Sequence, residues 1–388
     1  MRRAMPGRLP LATVNPSTSG ARAQRGDVPL PGEHPAADVP LAGCTTLRLG
    51  GPATGLVVAE RPDELTAAVS AADAGGHRLL VLGGGSNLVV SDAGFAGHVV
   101  RIATRGRQYD SVGDGLVQLT AEAGEDWDEV VADTVRQGLG GLECLSGIPG
   151  LTGATPVQNV GAYGVEVSEL LVSVDLLDRA TGRVRTVAAA DLGLVYRGSV
   201  LKGSDAAVVL RARFLLRDGG KSHPIRYAEL ARALGVEPGE RVGVAEAREA
   251  VLGLRRGKGM VLDPADHDTW SAGSFFTNPL VPAEELPGVL TRIEERVGAD
   301  VRIPRYPAED GATKLSAAWL IERAGFGKGH PGPGGRVGLS TKHTLALTNR
   351  GTGTTRDLLL LAREVRDGVR AAFGVSLAPE PVLVDCAL

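Results

Sequence analysis

LSGIPGLTGATPVQNVGAYG, residues 145 to 164, is the stretch on which the fold turns. Glycines at 147, 150, 153, 161 and 164 leave its backbone free to wrap something flat and polar. Gln158 and Asn159 each carry an amide donor and acceptor suited to the edges of a heterocycle. A Gly-rich loop of this length inside a compact domain is functional or disordered, and its apolar and aromatic residues argue against disorder. The plainer reading is an ordinary omega loop. Upstream, VLGGGSNLVV (81–90) runs a strand into Gly83, Gly84, Gly85, Ser86 and Asn87. Bare backbone N–H groups there suit a phosphate, although a tight turn has the same composition. Neither the dinucleotide fingerprint nor the P-loop pattern is present, because no helix follows at once and no Gly-Lys-Ser/Thr occurs. Two Gly-rich loops, one suited to a pyrophosphate and one to a ring, point to a large nucleotide. Without a nicotinamide fingerprint, flavin is the better assignment.

Around these loops the chain reads as α+β. Pro62 opens a helix through DELTAAVSAADAG, and Glu125 to Gln137 reads as an amphipathic helix closed by Gly138. Strand patterns lie at Arg78–Leu82, GHVVRI, GLVQLTAEAG, LLVSVDLLDR, RVRTVAA and AAVVLRARFLLRD. VAEAREAVLGLRRG, about 282–297, KLSAAWLIERAG and Thr355–Phe373 read as helices, with short strands at VGLS and HTLALTN. Most strand connections look antiparallel. Residues 1–36, rich in Pro, Gly, Ser and Arg and without periodicity, read as a disordered extension or as an upstream start chosen in error.

The whole-chain properties exclude several classes. The 388 residues suit two or three domains, and the net charge of −3 gives no electrostatic case for nucleic acid. Basic residues do cluster at Arg255, Arg256 and Lys258, a scale suited to one small anion. Three cysteines without CxxC spacing argue against a disulfide framework or structural zinc and fit a reducing cytoplasm. No HxH or HExxH pattern occurs, so no metal is expected. No apolar run approaches the roughly 18 residues of a membrane span.

Four further positions invite a chemical reading beside a plain one. In SAGSFFTNP (271–279) two of only six phenylalanines follow Gly273-Ser274. They could be core, yet a hydroxyl held beside them needs a partner or a task. In VYRGSVLK (195–202), Arg197 is a natural fork for a substrate carboxylate, and equally for any surface carboxylate. Glu380, between Pro379 and Pro381, has a stiff backbone that aims its side chain, or is a solvated tail residue. His343, in TKHTLALTN, reads as a structural hydrogen-bonder at a strand start.

Taken together, LRLGGPA, VLGGGSN, SGIPGLTGATPVQNVGAYG, YRGSVLK, AGSFFTNP, KLSAAWLIERAG, HTLALTN and PEP resemble, in order from about Leu41 to Val384, the UDP-N-acetylenolpyruvoylglucosamine reductases. The resemblance implies a two-part FAD-binding unit of the vanillyl-alcohol-oxidase-like (PCMH-type) superfamily and a C-terminal α+β substrate-binding domain. The expected division is 37–105 and 106–222 for the flavin unit and 223–376 for the substrate domain. Residues 377–388 would then return Glu380 to the active site. Catalytic roles fall on Arg197, Ser274 and Glu380. Non-covalent FAD contacts fall on Gly83, Gly84, Gly85, Ser86, Asn87, Gly147, Gly153, Thr155, Gln158, Asn159 and Gly161. Substrate contacts fall on Tyr163, Tyr227, Lys258 and Asn278, with Tyr227 in PIRYAEL matching the tyrosine that closes over substrate in one subclass. Gly84 departs from members with Glu there, and Ala154-Thr155 from members with Ser-Ser.

The implied reaction is NADPH-dependent reduction of an enolpyruvyl ether on a UDP-sugar. Hydride passes from flavin N5 to the terminal carbon, the substrate carboxylate takes up charge beside Arg197 and Glu380, and Ser274 protonates the other carbon. A FAD-dependent alcohol oxidase on the same flavin unit is the alternative. The expected enzyme is a cytoplasmic monomer without nucleic-acid or membrane partners.

Overall fold

The computed structural model describes Leu30, Gly32, residues 39–308 and residues 311–388. The first layer is a three-stranded parallel sheet, with Phe95–Ile102 between Ala53–Ala59 and Leu79–Leu82. Parallel neighbours need a crossover, and the helix Pro62–Gly75 provides it. Its start follows from sequence. Proline fits the first turn, Glu64 accepts from the Arg61 N–H at 3.2 Å, and Gly76 ends the helix in the left-handed region.

The second layer is a five-stranded antiparallel sheet in the order Arg183–Ala188, Leu171–Asp178, Ala207–Arg217, Leu116–Glu122, Arg107–Gly113. Its buried face carries Leu119, Val174 and Phe214 against Trp127 and Val130 of the helix Trp127–Arg136, with the Trp127 and Phe214 rings 5.6 Å apart. Asp126 caps that helix by accepting from Glu129 N at 3.0 Å.

The expected boundary after residue 222 does not follow the packing. Ile225, Leu230, Ala231, Val242, Ala247 and Val251 belong to the same buried cluster as the five-stranded sheet. The helices Ala228–Leu234 and Val244–Gly257 therefore pack with the flavin unit. We propose that the division falls after these helices.

The remaining chain forms its own core. Phe275, Phe276, Leu320, Ile321 and Leu339 pack against Leu358, Leu361, Val365, Val369 and Phe373 of the helix Thr355–Phe373. That helix is tied to the segment that leads into Phe95–Ile102: Asp92 accepts from Thr355 N at 2.7 Å and Arg356 N at 2.9 Å, and the Thr355 hydroxyl donates to the Val90 carbonyl at 2.6 Å. The final strand, Val382–Val384, pairs in parallel with Leu88–Val90 directly after the first Gly-rich loop.

Two expectations are corrected locally. HTLALTN is strand only over Leu347–Asn349. Before it the Ser340 hydroxyl accepts from the Lys342 and His343 N–H groups, and Ala346 N donates to His343 O. Turn chemistry wins there, so His343 stands in a turn. The disordered extension at 1–36 lies almost wholly outside the described residues, but Leu30 is buried in a cluster with Val57, Leu65 and Leu210.

Asp357 supplies a stability test. It is buried at the start of the long helix, takes both guanidinium donors of Arg336 and closes the capping box with Thr354. The Arg336 hydrogen bonds lead in pushing its carboxyl down to about 2. A depressed carboxylate pKa stabilises the fold above the unfolded value and loses that contribution as pH falls through the folded one. Thermal melts should therefore show a drop in Tm of the wild type between about pH 4 and about pH 2 that is smaller in Asp357→Asn.

Candidate active site

The two Gly-rich loops meet face to face. A Cβ on Gly84 would stand 2.8 Å from Gly150 Cα, and one on Gly150 would stand 2.7 Å from Ser86 Oγ. Gly85, at φ 61, would drive a Cβ into the Cys44 carbonyl at 1.9 Å. Asn87 Nδ2 donates to Gln158 Oε1 at 2.7 Å and lies 3.4 Å from Glu380 O, so it links both loops to the C-terminal segment. Gly83 differs: its added Cβ would meet Leu151 Cδ1 only at 3.9 Å, leaving room beside bare backbone. Close-approaching backbone with open space at Gly83 fits a phosphate-bearing cofactor such as FAD.

The second loop packs against the turn that carries Arg197. Val195 and Gly198 exchange backbone hydrogen bonds of 3.0 Å in both directions, with Tyr196 and Arg197 between them. Arg197 sits at φ 54, a conformation that costs a non-glycine residue roughly 1–3 kcal/mol. Its side chain is held at both edges: Nη2 donates to Gly161 O at 2.8 Å, and Nε lies 3.3 Å from Glu380 Oε1. Among the described residues six non-glycines have positive φ, and Asn159, Tyr163 and Arg197 are three of them. Strain of this kind collects where geometry serves a site.

Glu380 reaches Arg197 through a short ladder. Its N–H donates to the Phe275 carbonyl at 2.9 Å, Pro379 bridges Phe276, and Thr277 N donates to Ala378 O at 3.0 Å. Ser274 therefore stands one residue from the rung that fixes Glu380. The phenylalanines are core, each 1% exposed, with ring centroids 5.1 Å apart. Ser274 is half-buried, and its hydroxyl makes no hydrogen bond among the described residues. Burial pushes the Glu380 carboxyl up, against the downward pull of Arg197 and Lys202.

A second cluster borders the loop. The Tyr163 and Tyr227 rings meet edge to face at 5.6 Å, and Lys258 Nζ lies 5.9 Å from the Tyr163 ring centre. Burial pushes the Tyr163 hydroxyl up to about 12. Lys258 is paired with Glu229 at 2.6 Å, a partner the sequence reading missed. Arg255 joins the group with its Nε sealed from solvent and without a hydrogen bond among the described residues; burial pushes its guanidinium down to about 10. Burial, helped by Lys258, Lys328 and Arg255, also pushes His343 down to about 4, so it is neutral at physiological pH.

Two candidates are engaged otherwise than expected. Asn159 is fully buried and gives both amide hydrogens to Glu166 Oε2 and Val195 O while accepting from Ser168 N. Its side chain ties the loop to the Arg197 turn and has no donor left for a heterocycle. Asn278 accepts from Ala317 N at 2.9 Å at the start of the helix Ala317–Ala324. Cavities of ≈ 470 and ≈ 570 Å³ open beside the helix Pro62–Gly75 and share no residue with these candidates.

Comparison with known proteins agrees with this geometry. Residues 53–188 match an FAD binding domain, and residues 263–384 match the C-terminal domain of UDP-N-acetylenolpyruvoylglucosamine reductase. A UDP-N-acetylenolpyruvoylglucosamine reductase from Saccharopolyspora erythraea is 80% identical over 92% of this chain and 98% of its own length. The chain belongs to the UDP-N-acetylenolpyruvoylglucosamine reductase family. A Nocardia farcinica member is 62% identical over 89% of this chain and 88% of its own length. The crystal structure of the Thermus caldophilus reductase matches with a TM-score of 0.60 and 26% identity, over 89% of this chain and 97% of that one. With membership come the FAD-binding unit and the C-terminal domain of the family's α+β fold.

The glycines separate cofactor contact from folding. Gly83→Ala should melt as the wild type does yet bind FAD at least about tenfold more weakly in a fluorescence titration. Gly85→Ala, with its backbone clash, should lower Tm as well.

Proposed function

We propose that this chain uses FAD and NADPH to reduce the enolpyruvyl group of UDP-N-acetylglucosamine enolpyruvate to the lactyl ether, giving UDP-N-acetylmuramate for peptidoglycan synthesis. Family membership over nearly the whole length of its relatives supports the activity. The observation that carries the residue assignment is the rung from Glu380 N to Phe275 O, which gathers Ser274, Glu380 and Arg197 from three distant parts of the chain.

FAD, when bound, supplies hydride that NADPH has delivered to it. Gly83 to Asn87 and Gly147 to Gly161 would hold it. Arg197 would face the substrate carboxylate with fixed positive charge as electron density moves there, and preorganised charge in a dry site is commonly the largest catalytic contribution. Glu380, protonated, would donate a hydrogen bond to the same carboxylate. Its burial supports the protonated form. The Ser274 hydroxyl, without a hydrogen bond among the described residues, would give its proton to the other vinyl carbon. Lys258, Arg255 and Tyr163 would meet the phosphates and sugar of either nucleotide in turn, with Tyr227, exposed at the start of its helix, closing over them.

The proposal extends to a cytoplasmic monomer, working where NADPH and nucleotide sugars are kept, without nucleic acid or membrane as partner. Among the described residues no helix is long and apolar enough to cross a membrane.

The decisive measurement is anaerobic: NADPH should bleach the yellow enzyme, and the enolpyruvyl substrate should restore its colour. An enzyme bleached by an alcohol and not by NADPH would be an oxidase. In the second half-reaction Ser274→Ala should lose about 10²–10⁴-fold or more, whereas Ser274→Cys keeps part of the rate. Recovery of Ser274→Ala at the wild-type rate removes serine from the mechanism. A raised carboxyl pKa keeps Glu380 protonated to higher pH, so activity should fall as pH rises through it. Glu380→Gln, which donates at every pH, should lack that limb.

A further inference from the structure

The turn that presents Arg197 poses a problem that its own Val195 and Gly198 pairing solves only in part. Its central positions are Tyr196 and Arg197, and only Arg197 has positive φ. That is the pattern of a type II turn, whose third residue is ordinarily glycine. An arginine there needs contacts that single out this conformation. The side-chain contacts with Gly161 and Glu380 fix the guanidinium, and Val195 O holds the N–H of the peptide that follows Arg197 at 3.0 Å, which leaves that peptide's carbonyl to be held from outside the turn.

The structure supplies that contact from five residues downstream. Lys202 Nζ donates to the Arg197 carbonyl at 2.9 Å. Lys202 is half-buried, and its own N–H donates to Ser199 O at 3.2 Å. Ser199 is anchored to the second Gly-rich loop through its hydroxyl, 2.6 Å from Val157 O. The ammonium thus closes a ring from the turn, through Ser199, to the loop. Its charge also acts on the buried carboxyl of Glu380, which Arg197 and Lys202 both pull down. Lys314, on the adjacent strand Thr313–Leu315, stands 4.6 Å over the Tyr196 ring and makes no hydrogen bond to the turn among the described residues.

We propose that Lys202 is a positioning residue: it pins the left-handed turn that aims Arg197 and sets the second positive charge beside Glu380. One contact is mechanical and the other electrostatic, and different substitutions separate them. Glutamine keeps a hydrogen-bond donor without charge, methionine keeps neither, and arginine keeps both.

The inference rests on the reductase reading, so full-length holoenzymes of wild type, Lys202→Met, Lys202→Gln and Lys202→Arg are compared through both half-reactions, across pH and by thermal melting. Flavin reduction by NADPH should be near the wild-type rate in all four, because that step uses no substrate carboxylate. In Lys202→Met, kcat for the enolpyruvyl substrate should fall about ten- to hundredfold, the loss expected for one charge-assisted hydrogen bond. Lys202→Gln should recover part of that loss. In both, the limb of the pH profile assigned to Glu380 should move to higher pH, because removing a nearby cation favours the protonated carboxyl. Lys202→Arg should restore both. A wild-type kcat and an unmoved limb in Lys202→Met overturn the proposal. So does a fall that tracks lower Tm in every variant, with no shift of the limb and no rescue by arginine. If Lys202→Met fails to fold, the shifted limb of Lys202→Gln and the rescue by Lys202→Arg decide it. A wild type that NADPH bleaches but the enolpyruvyl substrate does not restore overturns the reductase reading itself, and this proposal with it.

Discussion

The geometry of the candidate site depends on one short piece of backbone pairing. The final strand lies parallel to Leu88–Val90, and just before it Glu380 donates to the Phe275 carbonyl at 2.9 Å. These rungs fix the register of the C-terminal segment against both the first Gly-rich loop and the Ser274 segment. A slip of one residue would turn Glu380 to the opposite face. The register is enforced by apolar burial. Phe275 and Phe276 sit in the core formed with the long C-terminal helix, and burying each ring contributes roughly 1.5–3 kcal/mol. The phenylalanine pair next to Ser274 is therefore structural in itself, and it serves the candidate site by holding the segment that carries the hydroxyl.

On the other side of the site the constraint is local strain. Asn159, Tyr163 and Arg197 take left-handed conformations within two loops that touch. Each is secured by contacts outside its own turn: Asn159 by Glu166, Val195 and Ser168, Tyr163 by Tyr227, and Arg197 by Gly161, Glu380 and Lys202. The flavin unit holds Asn159 and Tyr163 through its own residues, and of the three Arg197 takes a further contact, Glu380, from the C-terminal segment.

This division explains what was legible in the sequence. The helices Val244–Gly257 and Thr355–Phe373 appear at the expected residues because their periodicity and caps are local properties. The Gly-rich loops were legible because only glycine tolerates the contacts at 84, 85 and 150. The boundary after 222 was not, since Ile225 and Val251 become core of the five-stranded sheet only through tertiary packing. Asn159 carried the right donors and acceptors, but nothing local told that Glu166 and Val195 would take up the donors. Lys202 stood within a quoted motif without a signal of its own. A type II turn with arginine at its third position is visible only in φ.

The electrostatics at Glu380 follow from the same convergence. Burial raises its carboxyl pKa, while Arg197 and Lys202 lower it. On the proposed reading Glu380 is neutral beside another carboxylate, a state that burial favours and the cations oppose. With burial alone the carboxyl would be fixed as an acid and would have no reason to lie near cations. With the cations alone it would be ionised and would repel the substrate. On the proposed reading the arriving substrate carboxylate engages Arg197 and adds its own negative charge to the pocket. Both changes favour the proton on Glu380. The substrate would thereby add to the upward push that burial already gives the Glu380 carboxyl and help to prepare its own hydrogen-bond donor.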